Sequence, residues 1–314
     1  MQDLRRQEGT PSRENNLQIS NARMYLINAS EHFGASVDAC LLVCLLAPGA
    51  TSDQCKVYPG LEALSSDTVF GYRAGRLVVD PDLYDSKGHL SEGSSPVRWR
   101  SGIKHDCARV IELRPEGVGH YRNGFGEKVR LEATYLYPML KSSDLAKPND
   151  RTSRFMLVTQ DGVGHDTSQI ARQAPLTWDY LQSHAGLLDS RASSIYRNRP
   201  RFSIFGVGPY SFAPWKVAIS GFYKQLVFRQ VGPAEGKPVV LDDTCYFLPC
   251  HTREDAARLT GLLQTQTARD FYESRIFWDA KRPITAGLLK SLNLKALADQ
   301  EGQALPIWSA PKSL

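Results

Sequence analysis

The stretch RMYLINASEHFGASVDACLLVCLLAPG, residues 23–49, contains two predicted β-strands. Met24 to Ile27 forms the first strand and Ala39 to Leu46 the second, with Gly34 near the turn between them. The second strand is an unbroken apolar run, which is typical of a strand covered on both faces of a sheet. Since an isolated hairpin is only marginally stable in water, the pattern predicts the edge of a larger sheet whose other strands lie outside this chain.

Length, charge and apolar patterning limit the class of protein. The chain has 314 residues, of which 42% are hydrophobic, so it can bury the core of one large or two ordinary domains. A formal net charge of +5 weakly favours a polyanionic partner, because Lys and Arg release counterions from a phosphate backbone. The first residues lack an apolar signal core, and no apolar run reaches the roughly 18 residues of a membrane span. These features predict a cytoplasmic protein that does not contact a membrane.

Two patterns suggest small ligands but are incomplete. Cys245, Cys250 and His251 could form half of a zinc site, yet no second half follows at metal-ligand spacing. Gly206 and Gly208 suggest a nucleotide-binding loop, but the residues after them continue a β-like pattern instead of opening a helix. The cysteines lie mostly in apolar runs, which is typical of reduced core residues. We therefore expect no metal site and no cofactor loop in this chain.

The remaining sequence predicts a second, larger domain. Residues 1–50 end a first domain, residues 51–98 form a connector, and residues 99–314 form the second domain. In that domain short β-like segments such as RFMLVTQ and KVAISGFY alternate with polar turns, and helices occur chiefly in the middle and at the end. The predicted fold class is α+β, with a mixed β-rich domain that ends in helices.

The C-terminal helices have the clearest boundaries. Thr252 is placed to cap a helix over residues 253–277, with Asp255 three residues on as its capping-box partner. Pro283, just before Thr285, opens a second helix through residues 286–297.

The segment SGIKHDCARV, residues 101–110, places Lys104, His105, Asp106 and Cys107 together. A Cys-His nucleophile is disfavoured because neighbours in a strand point to opposite faces and no oxyanion donor is identifiable. Two interpretations stay open: a turn that places Lys104 and His105 at a phosphate, or an ordinary solvated turn.

Basic and aromatic residues are interleaved along the second domain. Guanidinium and ammonium groups neutralise phosphates, Arg can also hold guanine, and hydroxyl groups fix register on DNA. The alternatives are a solvated charged face and rings buried in a core. A nuclease would need clustered carboxylates around Mg²⁺, for which Asp242 and Asp243 have no identifiable partner strand. The candidate DNA contacts are Lys104, His105, Lys141, Ser142, Arg197, Arg199, Arg201, Tyr210, Lys216, Lys224, Lys281 and Arg282, and the three arginines alternate as they would on one face of an extended segment.

Five segments together resemble a known family. YLINASEHFGASVDACLLVCLL, SGIKHD, YLYPMLKSSDL, RPRFSIFGVGPYSFAPWKVAISG and FWDAKRPITAGLLKSLNLKAL occur in the order found in the C-terminal part of bacterial N6-adenine DNA methyltransferases of restriction-modification systems. In those enzymes the target recognition domain follows the catalytic domain, and the resemblance runs from Asn21 onward. It implies that the hairpin is the end of a Rossmann-like methyltransferase sheet and that residues 99–314 recognise double-stranded DNA.

The resemblance also assigns a role to Phe33. A phenylalanine at this "HF" position stacks on the flipped target adenine in the family, because a base taken out of the duplex needs a π-platform. The alternative is an ordinary core ring within the hairpin.

The chain departs from the family in its catalytic motifs. It has no Asn/Asp-Pro-Pro-aromatic motif and no glycine-rich S-adenosylmethionine loop; DPDLY, residues 80–84, has Asp82 at the second proline and is interpreted as a turn. We therefore expect a sequence-specific recognition module that carries no catalytic residues, binds no cofactor alone and is inactive alone. S-adenosylmethionine would be the cofactor of the complete enzyme, formed with a catalytic methyltransferase half or chain. The alternative is a stand-alone DNA-binding specificity protein without catalysis.

Overall fold

The computed structural model describes residues 17–48, 52–147 and 152–306, which divide into two compact units. Residues 17–92 and 266–278 belong to the first unit, and residues 93–265 and 279–306 belong to the second. Among the described residues, none of the helices has the length and apolar character that a membrane span requires.

The first unit contains a five-stranded sheet. Its strands, in the sheet order β2-β1-β3-β4-β5, are β1 (Leu17–Ile27), β2 (Ala39–Pro48), β3 (Gln54–Tyr58), β4 (Thr68–Arg73) and β5 (Arg76–Val78). β1 pairs with β2 antiparallel and with β3 parallel. The sequence placed all neighbouring strands outside the chain, whereas β3 to β5, drawn from the segment assigned to the connector, complete one side of this sheet. β2 forms its other edge.

A short helix, α1 (Ala29–Phe33), separates β1 from β2. The Asn28 side chain accepts a hydrogen bond from the Glu31 N–H at 3.3 Å, and Gly34 ends the helix with a left-handed φ of +62°. The predicted antiparallel pair of β1 and β2 is therefore present. The connection between the two strands is the short capped helix α1.

The long helix predicted over residues 253–277 is interrupted. Thr252 caps a helix of the second unit, Arg253–Leu263, and its Oγ1 accepts from the Asp255 N–H at 3.0 Å. Gln266–Glu273 is a separate helix of the first unit, where the Val79 N–H donates to the Ser274 carbonyl at 2.9 Å. The two parts of the predicted helix therefore belong to different compact units. The second predicted helix is likewise divided, and Thr285, not Pro283, is its N-cap.

The second unit contains two sheets. The larger has the strand order β14-β10-β11-β7-β8-β9 and the smaller the order β13-β12-β15-β6. The strands are β6 (Arg100–Ser101), β7 (Glu112–Pro115), β8 (His120–Arg122), β9 (Lys128–Arg130), β10 (Leu136–Leu140), β11 (Phe155–Leu157), β12 (Trp215–Ser220), β13 (Arg229–Val231), β14 (Val240–Leu241) and β15 (Cys245–Cys250).

Short helices surround these sheets. After α1, the described helices are α2 (Pro81–Lys87), α3 (Ala108–Ile111), α4 (Ser142–Leu145), α5 (Ile170–Gln173), α6 (Pro175–Ser183), α7 (Ala185–Asp189), α8 (Arg253–Leu263), α9 (Gln266–Glu273), α10 (Ala286–Lys290) and α11 (Leu294–Gln300). The predicted α+β class, a mixed β-rich domain with C-terminal helices, is confirmed.

Two apolar clusters stabilise the second unit. The larger packs the strands of the six-stranded sheet against α6 and α7 through residues such as Leu113, Met156 and Leu181. The smaller joins β12 and β15 through Ala218 and Phe247. Cys245 and Cys250 are buried in β15, as predicted for core cysteines, whereas Cys40 on β2 is exposed.

Candidate nucleic-acid interface

Three of the segments quoted from the sequence meet in the second unit. Lys104 and Phe205 exchange two backbone hydrogen bonds of 2.8 and 2.9 Å, which joins SGIKHD to the arginine-rich segment. The Asp242 N–H donates to the Leu140 carbonyl at 3.2 Å, and the Asp243 N–H donates to the Ile103 carbonyl at 3.1 Å. Backbone hydrogen bonds therefore join segments that are far apart in the sequence.

Glycines permit this close approach. A Cβ atom on Gly102 would lie 2.0 Å from the Asp242 carbonyl oxygen, and one on Gly206 would lie 2.5 Å from the Gly102 carbonyl oxygen. Gly206 also has a left-handed φ of +68°. Gly206 thus permits close backbone packing between two loops.

Several predicted cations lie on the surface of these loops. Arg197, Arg199, Lys224 and Lys281 are exposed, while Lys104 is partly exposed and 3.0 Å from Asp106. Tyr210 is half-buried, and the guanidinium carbon of Arg100 lies 4.4 Å from its ring centroid. Arg100 was not among the predicted contacts, and only the fold brings it to Tyr210.

The predicted extended segment of three arginines is instead a pair of turns. Asn198 and Phe202 have left-handed φ values of +57° and +64°, so alternation along a strand cannot align the side chains. Arg201 is also neutralised, with its Nη2 2.7 Å from Asp189. Arg197 and Arg199 remain exposed and are the better candidates for phosphate contact.

Three predicted DNA contacts are buried and need correction. The Nε2 of His105 lies 3.4 Å from Glu112, and its Nδ1 accepts from the Cys107 N–H at 3.3 Å. The Ser142 hydroxyl donates to the Thr244 carbonyl at 2.6 Å. Lys216 is almost fully buried in β12, and its Nζ donates to the Ala213 carbonyl at 2.6 Å. These groups satisfy the interior of the protein, so they do not face DNA.

Lys141 belongs to an ion network around Glu112. Its Nζ lies 2.5 Å from the Glu112 carboxylate, and Arg154 lies 3.7 Å from the other oxygen. Burial favours the neutral acid, but hydrogen bonds from His105 and Lys141 outweigh it and lower the pKa of Glu112 to about 2. These ion pairs hold the loop that contains His105 against β7 and β10. Lys141 therefore has a structural role in positioning that loop.

Phe33 lies at the end of α1, and 68% of its area is exposed in this chain, which favours a surface ring over a core ring. Its ring centroid lies 6.2 Å from that of His32. An exposed phenylalanine on a capped helical turn is available to stack on a ligand, although an exposed ring alone does not define a site.

β2 is an unusual edge strand. It has ten residues, and in the sheet as described it pairs with β1 alone. Its apolar side chains are exposed, including Leu41, Val43 and Leu46, and Leu45 is 58% exposed. A long apolar edge presents unpaired backbone groups and is normally covered by further strands or by charged residues.

The chain has sequence similarity to a Type II methyltransferase. It is similar to the Type II methyltransferase M.NspV of Nostoc sp. (strain ATCC 29411 / PCC 7524), with 44% identity over 283 residues, 90% of this chain and 58% of the relative. The resemblance predicted from the sequence is therefore confirmed, and the chain spans somewhat more than half the length of that relative.

The fold was also compared with solved structures, and the sequence with family models. The Type IIL restriction-modification enzyme MmeI, solved in complex with DNA, superposes with a TM-score of 0.46 and 15% identity, over 88% of this chain and 34% of the other. No protein-family model matches the chain.

Proposed function

We propose that this chain is the DNA-recognition portion of an N6-adenine DNA methyltransferase of a restriction-modification system, and that β1 and β2 are the last strands of its catalytic sheet. The observation that carries the proposal is the open apolar edge of β2 in a chain that spans 58% of a methyltransferase relative. The catalytic portion would supply the strands that cover this edge. The enzyme would act in the cytoplasm, where bacterial DNA lies.

The catalytic portion, not this chain, would bind S-adenosylmethionine and transfer the methyl group. In DPDLY, the place where the family motif is approached, the Asp80 carboxylate accepts from the Leu83 N–H at 2.9 Å and caps α2. That carboxylate is engaged in the fold, and Pro81 is the first residue of the helix. These residues do not fit a site that polarises an adenine amino group, so no catalytic step is assigned to them.

The second unit would grip duplex DNA through its surface loops. The exposed arginines and lysines would neutralise phosphates, and Tyr210 with Arg100 offers a hydroxyl and a guanidinium at a base edge or a backbone. We propose residues 99–314 as the recognition domain; of these, residues 99–265 and 279–306 lie in the second unit, which supports the proposal.

Co-expression tests the proposal directly. This chain, combined with the catalytic portion of a Type II methyltransferase relative, should produce N6-methyladenine at a defined DNA sequence, while neither part alone should. The readout is methyl transfer from labelled S-adenosylmethionine to plasmid DNA, followed by mapping of the modified base. DNA binding without methylation in every combination would instead favour the stand-alone specificity protein.

Removing two surface arginines should weaken DNA binding without regard to sequence. Arg197→Ala combined with Arg199→Ala removes two phosphate contacts, so the slope of log K against log salt should fall by about 1.8, roughly 0.9 per contact. Titration of a fluorescent duplex at several salt concentrations measures the slope.

The matched control for this titration is Arg122→Ala. Arg122 is also exposed but is paired with Glu116 at 2.5 Å, so its loss should leave the slope unchanged. An unchanged slope in the double variant would identify Arg197 and Arg199 as an ordinary solvated face.

A further inference from the structure

The loop that follows β12, residues 221–224, presents two aromatic rings to solvent; we refer to it as the aromatic loop. Phe222 is 36% exposed and Tyr223 is 42% exposed. These two rings therefore differ from the core rings that were one alternative for the interleaved aromatic residues. Exposed rings side by side on a loop tip leave apolar surface in water, which is commonly the mark of a binding surface.

The base of the aromatic loop is rigidly held. The buried Ser220 hydroxyl accepts from the N–H groups of Phe222 and Tyr223 at 3.2 and 3.1 Å. The Gly221 N–H donates to the Thr244 carbonyl at 2.9 Å, and a Cβ atom on Gly221 would meet the Tyr246 ring at 2.9 Å. The loop is therefore anchored to β15, so its rings lose little conformational entropy when they bind.

Cations surround the rings. The Arg282 guanidinium carbon lies 4.4 Å from the Phe222 ring centroid, and Lys224 and Lys281 are exposed. Within five residues of these three cations along the chain, Asp279 is the single carboxylate. Cores of protein interfaces are depleted of lysine, whereas nucleic-acid surfaces combine aromatic rings with Lys and Arg. The local charge excess favours DNA over a protein partner.

We propose that Phe222 and Tyr223 stack against bases of duplex DNA while Arg282 and Lys224 contact the flanking phosphates. The inference rests on the proposed function and deepens it, because it names a base contact that neither the sequence nor the relative assigns. Apolar side chains inserted at a base step partly unstack it, and aromatic stacking is tolerant of sequence.

The test compares ring removal with ring retention in the full chain. The probe is a fluorescent duplex pool of random sequence, about 30 base pairs long, so that it spans nearly three helical turns. Phe222→Ala with Tyr223→Ala should weaken binding about 10- to 30-fold with an unchanged salt slope, because the rings carry no charge. The exchange Phe222→Tyr with Tyr223→Phe keeps both rings and should bind like the unmodified chain.

Phe125→Ala is the matched control, since Phe125 is 41% exposed and lies 5.4 Å from the Arg109 guanidinium, yet belongs to another turn.

A duplex containing 5-iododeoxyuridine provides a second readout, and we expect photo-crosslinks to Phe222 or Tyr223. The inference is overturned if the unmodified chain binds DNA but the double alanine variant binds within twofold and the crosslinks map elsewhere. It is also overturned if the ring exchange weakens binding as much as ring removal, since that pattern indicates a structural role. Failure of the unmodified chain to bind the pool would instead contradict the proposed function itself.

Discussion

Replacing Phe33 by alanine is expected to slow methyl transfer by about 100-fold once this chain is joined to a catalytic portion. The expectation rests on the proposed role of the ring as the platform for the extruded adenine, where loss of stacking costs about 1 to 3 kcal/mol per base. The largest effect in that range is expected because the base is held outside the duplex by few other contacts. Single-turnover methylation of a cognate duplex measures the change.

The exposure of Phe33 separates this effect from unfolding. A side chain with 68% of its area in water should change the free energy of unfolding by less than about 0.5 kcal/mol when it is truncated. Phe33→Trp keeps a π-face and should retain most of the activity. Val37→Ala is the matched control, because Val37 is similarly exposed in the same connection between β1 and β2. Equal loss of activity in the Phe33 and Val37 variants would show that the connection, not the ring, is required.

Replacing Lys216 by methionine is expected to stabilise the second unit by about 3 kcal/mol at pH 6. Burial lowers the pKa of Lys216 to about 7, from a usual value of 10.5, because the charged ammonium is poorly solvated inside β12. Each pH unit by which the pKa is lowered corresponds to about 1.4 kcal/mol of folding free energy, which the substitution recovers when the lysine is charged. The substitution also leaves the Ala213 carbonyl without the Lys216 hydrogen bond, which reduces that gain by about 1 to 2 kcal/mol.

The pH dependence gives the sharper test of Lys216. Between pH 7 and 10.5 the unfolded state binds a proton that the folded state lacks, so stability should rise with pH by up to about 1.4 kcal/mol per pH unit. Below pH 7 both states are protonated and the full cost of burying the charge is present. The advantage of Lys216→Met should therefore be greatest at pH 6 and vanish towards pH 10.

Urea unfolding at pH 6, 8 and 10 measures this difference, with Lys290→Met as the control at an exposed lysine of α10. A stability difference that does not vary with pH would mean that Lys216 keeps its ordinary pKa. The result bears on function because Lys216 lies near the start of β12, the strand whose other end continues into the aromatic loop.

The sequence by itself determined the local elements and the relationship. The apolar run predicted a strand from Ala39 to Leu46, which in the structure extends to Pro48 as β2. Thr252 specified the start of α8, and the five ordered segments specified the methyltransferase resemblance. These features depend on neighbours within a few residues or on the order of motifs. Both can be identified from the amino-acid sequence alone. The α+β class follows from the same local patterns.

Tertiary structure decided which polar residues face water and which elements pack together. Lys216 and His105 carry ionisable side chains that favour exposure by type, but β12 is covered on both faces and Glu112 draws His105 inward. The helix over residues 253–277 is continuous by periodicity, yet its second part packs in the first unit. Periodicity records spacing along the chain, whereas burial and pairing depend on tertiary contacts, which join residues as near in sequence as His105 and Glu112 and as distant as Ser142 and Thr244. For that reason the sequence could supply a list of candidate DNA-contacting residues. Only the fold could show which of these residues have exposed side chains.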